Sequence, residues 1–208
     1  SMHAPEPPDK RHHSHHRERR HSQGEGQDAE DEHRHSTLSR EQAASTLFRR
    51  ASRESLIERC ASASAPLLAW PCTLDNGTWL PRPELEDLLD RVGNRESSVT
   101  LVLGGPGSGK SALLAKLGKE LRLQGIPVLG IKADALPATV QTPEALALEM
   151  GRLPDPVDAV ISALAVDGPA VLLLDQLDVL AEVQCLNTGR LSVLLDLVKQ
   201  LSAVSGVH

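Results

Sequence analysis

The residues best equipped for chemistry stand together in the run Gly104-Gly-Pro-Gly-Ser-Gly-Lys-Ser111. Glycines at 104, 105, 107 and 109 let the backbone adopt positive φ and approach an anion closely, so that successive amides turn inward and cradle phosphate oxygens. Lys110 adds a cation for the terminal phosphates of a nucleotide, and the Ser111 hydroxyl is a ligand suited to magnesium. The binding set is Gly104, Gly105, Pro106, Gly107, Ser108, Gly109, Lys110, Ser111 and the following Ala112. The chemistry these residues define is recognition of a nucleoside triphosphate with its Mg2+.

Such a loop works only if rigid elements aim it. Ser98-Val-Thr-Leu-Val-Leu103 reads as a strand entering it, and Leu113, Leu114, Leu117 and Leu121 recur at helical spacing after it, with Gly125 placed to stop the helix. This strand–loop–helix setting is the one in which G-x-x-x-x-G-K-[ST] binds phosphate, with the positive end of the helix dipole directed at the anion. Downstream, Ala170-Val-Leu-Leu-Leu-Asp175 is an apolar run ending in a carboxylate. In P-loop NTPases a strand-end Asp of this kind holds the magnesium, which makes Asp175 the partner of Ser111 in metal binding. The pattern predicts helices over 83–92, 109–124, 143–150, 156–166 and 189–204, and strands over 98–103, 126–132 and 170–175. Thr142-Pro143-Glu144 and Asp155-Pro156 are helix starts with a cap and a first-turn proline. Alternating strands and helices imply an α/β fold with a parallel sheet covered on both faces and the phosphate loop at the carboxyl ends of its strands.

Leu172-Leu-Leu-Asp-Gln-Leu-Asp-Val-Leu180 resembles the second nucleotide motif of the STAND branch of AAA-like ATPases, the NACHT-type proteins in particular. Trp79-Leu-Pro-Arg-Pro-Glu-Leu85 resembles the segment that opens such modules. The resemblance covers Trp79 to about Leu201. It implies a three-layer P-loop NTPase core, ATP and Mg2+ as cofactors, an Asp178 that positions or activates the attacking water, and an opening segment near Arg82 that approaches the base. Read from the residues alone, Asp178 lies just past a strand end, where it serves equally as a helix-capping or solvated acid. Gln176 stands where many AAA ATPases place a catalytic glutamate, and Val179 where NACHT proteins often carry another acid. Asp178 and Gln176 are thus the catalytic candidates, with hydrolysis slow or absent, as suits a switch whose output is its nucleotide state. The chain has no Asn-Lys-x-Asp for guanine, no Leu-Ser-Gly-Gly-Gln of transporter ATPases, and only Arg122 and Arg152 between the two motifs, too few for a phosphotransferase lid. ATP is favoured by elimination. The resemblance also implies a five-stranded core, a helical lid and homo-oligomerisation in the full-length protein. Val204 to His208 falls where the next strand would begin, so the sheet is expected to be incomplete. Two other functions fit the same residues: an interaction scaffold with a structural nucleotide site that does not hydrolyse, and a DNA-loading AAA ATPase.

Composition divides the chain. All but one of the nine histidines precede residue 36, and residues 1–37 contain no Leu, Ile, Val or Phe. Residues 1–38 cannot bury enough apolar surface to offset their ordering entropy and are expected to be a disordered, His-rich tail. The tract His12, His13, His15, His16 lacks the Cys or carboxylate spacing of a structural zinc site and reads as solvated low complexity. Residues 39–71 are expected to hold a helix over Ser39 to Cys60 and a linker over Ala61 to Pro71, with the nucleotide core occupying 72–208. In that helix Arg49-Arg-Ala-Ser52 resembles a basic kinase motif, so residues 39–60 read either as a solvated helix or as a switchable partner helix. A net charge of -6, and Phe48, Trp70 and Trp79 as the full aromatic complement, argue against a nucleic-acid platform. No apolar run is long enough to span a bilayer. Three cysteines without a CxxC pair read as reduced thiols of a cytoplasmic protein.

Overall fold

The computed structural model describes residues 52–93, 97–182 and 188–208. The expected tail and the segment 39–51, with Arg49 and Arg50, lie outside the described residues. In chain order the elements are α1 (52–63), α2 (Ala65–Leu68), α3 (Pro83–Gly93), α4 (Lys110–Leu123), β1 (Val128–Lys132), a 3-10 turn (Ala133–Ala135), α5 (Pro143–Glu149), α6 (Val157–Ala165), β2 (Val171–Asp175), α7 (Leu177–Glu182) and α8 (Thr188–Leu201).

The two strands are short apolar runs that pair in parallel, Val128 opposite Val171 through Lys132 opposite Asp175. Parallel neighbours need a long crossover, which α5 and α6 supply. Thr142 caps α5 as expected, its Oγ1 accepting the Ala145 N–H at 3.2 Å. Helix α4 ends at Gly125, whose N–H donates to the Arg122 carbonyl at 3.0 Å while Ile126 N–H reaches Leu121 at 2.9 Å. Helix α6 starts one residue later than expected, with Pro156 at its cap.

Side chains alternate across the sheet, so each face receives its own core. Leu129, Ile131 and Ala170 join Leu146, Ile161, Leu164 and Leu194 from α5, α6 and α8. Val128, Val171 and Leu173 join Leu67, Leu85, Leu113, Leu117 and Leu121 from α2, α3 and α4. Lys132 and Asp175 continue the second set by parity, which turns both toward α4. The architecture is mixed α/β, a two-stranded parallel sheet among helices.

Two expectations differ from this structure. Residues 98–103 form no strand, although their sequence is as apolar as that of β2. A cavity of about 440 Å³ separates them from β2, bordered by 98–104 on one side and 171–178 on the other. Among the described residues, Val207 and His208 bridge this gap at its Ser98 end. Val207 makes a single parallel bridge to Ala170, Leu172 N–H donates to the His208 carbonyl at 2.8 Å, and Ser98 N–H donates to the Val207 carbonyl at 3.2 Å. Beyond Ser98 an extended run without a neighbour at ladder distance cannot be a strand.

The second difference is the linker. Ala61 to Pro71 completes α1, forms α2 and buries Leu67 and Leu68 at 0% and 6% exposure. At the junction, the fully buried Ser64 Oγ accepts the Gly130 N–H at 2.8 Å and donates to the Cys60 carbonyl at 2.6 Å. A β-carbon at Gly130 would sit 2.8 Å from Leu67, so glycine is what lets α2 lie against β1. Among the described residues no helix is long and apolar enough to cross a membrane.

Candidate functional site

The glycine loop leads into α4, and its conformation follows from its residues. Gly107 and Gly109 have φ of 74° and 82°, a region that side chains with a β-carbon rarely enter. Ser108 N–H donates to the Gly105 carbonyl at 3.2 Å and tightens the turn. Gly109 is the N-cap of α4 and has no side chain with which to cap it, so the first-turn amides keep facing the loop. Lys110 folds back across the loop, its Nζ donating to the carbonyls of Gly104 at 2.7 Å and Gly105 at 3.3 Å. The cation is thereby held against the loop backbone.

Arg82, in the segment leading into α3, donates to the carbonyls of Ser108 and of Gly109, the latter at 3.2 Å. Its guanidinium lies 3.3 Å from where a β-carbon of residue 109 would stand. The structure thus sets Arg82 against the loop backbone, where it fixes the last turn before Lys110.

Asp175 ends β2 on the face that α4 covers and is 3% exposed. The Ser111 Oγ donates to its Oδ1 at 3.0 Å. Its Oδ2 faces Lys132, whose Nζ lies 3.5 Å away and also 3.5 Å from Asp134 Oδ1. The two strand ends are register partners, and that brings this pair together. Lys132 is 9% exposed in its side chain, and the Trp70 ring centroid lies 4.3 Å from its Nζ.

Gln176 follows with φ of 61°. With its amide nitrogen turned toward Asp134, it donates to Oδ2 at 2.7 Å and Oδ1 at 3.1 Å. Asp178 is exposed in the first turn of α7, where its Oδ1 accepts the Val179 N–H at 3.2 Å. Gly104, Lys110, Asp175, Gln176 and Asp178 all border the same cavity beside β2. Of the residues singled out from the sequence, these five share that space, Ser111 reaches it through its bond to Asp175, and Gly105 to Gly109 and Ala112 do not line it. Lys132, Asp134 and Trp70 were not among the residues singled out.

The donor set suits a hard divalent cation. A serine hydroxyl and a buried carboxylate, 3.0 Å apart beside the glycine loop, are oxygen ligands of the kind that magnesium takes. When bound, the ion would supply charge neutralisation between phosphate oxygens. Among the described residues no cluster of three or more His, Cys, Asp or Glu forms another metal site; the histidine tract lies outside them. Comparison of the chain with protein-family profiles, with curated proteins and with solved structures found no match.

Proposed function

We propose that the chain is the ATP- and Mg2+-binding switch module of a STAND, NACHT-type signalling or defence protein, built on a three-layer P-loop NTPase core. The observation that carries this reading is the bond between Ser111 Oγ and Asp175 Oδ1 at the mouth of the glycine loop. It joins the first turn after the phosphate loop to the end of a parallel strand, the two places from which magnesium is held. In the proposed complex the amides of 104–112 wrap the phosphates, Lys110 leaves its own loop carbonyls for the terminal phosphates, and Ser111 and Asp175 serve the metal. Helices on both faces of the parallel β1–β2 pair support the three-layer description.

A switch, with little turnover, is supported by the two residues offered for catalysis. Gln176 spends its amide on Asp134, and Asp178 is engaged by the first turn of its own helix. Gln176, a neutral amide, cannot act as a strong general base toward a water, and Asp178 is exposed to solvent. The output is then a nucleotide-dependent conformation that promotes homo-oligomerisation.

Titration of a fluorescent ATP analogue in the presence of Mg2+ tests the assignment. Lys110→Ala should weaken binding by about tenfold to hundredfold, the value of a lost charge-assisted hydrogen bond. GTP should compete less well than ATP. Equal affinity of wild type and Lys110→Ala would remove the site.

A further inference from the structure

We propose that Lys132 is the resident counter-cation of Asp175, and that it sets the magnesium requirement of nucleotide binding by having to yield that carboxylate to the metal. This rests on the nucleotide reading above and adds a residue to it. Asp175 is buried at 3% exposure, and a carboxylate there is costly unless it is paired. Its two oxygens face different partners. Oδ1 receives Ser111, on the side of the phosphate loop, and Oδ2 faces Lys132, 3.5 Å behind. A divalent ion entering beside Ser111 would share one carboxylate with an ammonium group in a poorly solvated setting, and the two cations repel.

The ammonium group has a second seat. Asp134 Oδ1 lies at the same 3.5 Å from Lys132 Nζ, and the Asp134 side chain is more exposed, at 32%. The Trp70 ring lies over the lysine, its centroid 4.3 Å from Nζ, and can stay in contact with it in either position. Metal at Asp175 therefore shifts Lys132 toward Asp134, the same carboxylate that takes the Gln176 amide. Because Gln176 links Asp175 to α7, the charge shift bears directly on how α7 leaves the strand.

This arrangement makes two variants act in opposite directions, which a purely structural role would not do. With the full chain, affinity for the ATP analogue is measured against Mg2+ concentration, with EDTA as the metal-free limit. Lys132→Met should lower the Mg2+ needed for half of the affinity gain by about tenfold. Asp134→Asn, which leaves Lys132 to Asp175 alone, should raise it by about threefold or more. Shifts in the same direction, or no shift, would overturn the proposal. If Lys132→Met does not fold, Asp134→Asn decides alone, and an unchanged or lowered requirement is the contrary result. Wild type that binds no nucleotide, or that binds like Lys110→Ala, removes the nucleotide reading and this one with it. Mg2+-dependent wild-type binding with unmoved variants removes only the role of Lys132.

Discussion

Gln176 holds φ at 61° directly after the buried Asp175. A residue with a β-carbon pays on the order of 1–3 kcal/mol for such a conformation, and it persists here because Asp134 anchors the amide. The glycine loop was readable from residue types and spacing because its chemistry is local to eight consecutive positions. Lys132 was not, since its partnership with Asp175 depends on the register between two strands far apart in sequence. A second residue-scale consequence concerns Cys60, which is fully buried. Burial pushes its thiol from the ordinary 9.0 up to about 11. The unfolded chain thus loses this proton first, so the folded state keeps the contribution below pH 9.0 and forfeits it as pH rises toward about 11. Denaturant midpoints followed across that window should fall in wild type more steeply than in Cys60→Ala. Parallel curves for the two proteins would contradict this.

At the scale of elements, the junction of α1 and α2 does what a third strand would do for β1. Ser64 meets the Gly130 N–H on the edge that β2 does not cover, and the helices shield that edge from outside pairing. Ser64→Ala should leave a buried N–H without its acceptor and cost about 1–3 kcal/mol in urea unfolding. Unchanged stability would show that the contact is dispensable. The run Ala61-Ser-Ala-Ser64 reads as a linker because its residues are small. Here Ser64 at least is small for another reason, since helix and strand approach closely: its Oγ takes the Gly130 N–H, and a β-carbon at Gly130 would stand 2.8 Å from Leu67. Composition cannot separate these two causes. Helices α3 to α6 and α8 were legible from periodicity, caps and prolines, whereas α7 is too short to show a period.

At the scale of the whole described fold, the side of β2 that faces 98–103 should govern behaviour in solution. Val99, Leu101 and Leu103 alternate along the segment beside the cavity and are exposed at 63%, 75% and 81%. An extended apolar segment without a neighbour invites pairing with another chain. The described fold should therefore self-associate as concentration rises, and Leu101→Thr with Leu103→Thr should reduce this in light scattering. A wild type that stays monodisperse at high concentration would argue that the exposed stripe is harmless. The apolar pattern of 98–103 was plain in the sequence; that it would find no partner beyond Ser98 among the described residues was not, because pairing is a property of two segments.

Ser98 closes on the far end of the described chain, its Oγ 2.9 Å from His208 Nδ1 across a separation of 110 residues. Contacts that close so long a loop carry the greatest entropic cost and form late. Among the described residues, the run feeding the glycine loop is thus moored from two sides, locally by Arg82 on the Ser108 and Gly109 carbonyls and at long range by Val207 and His208. The long-range mooring should be the first to loosen when the molecule begins to open.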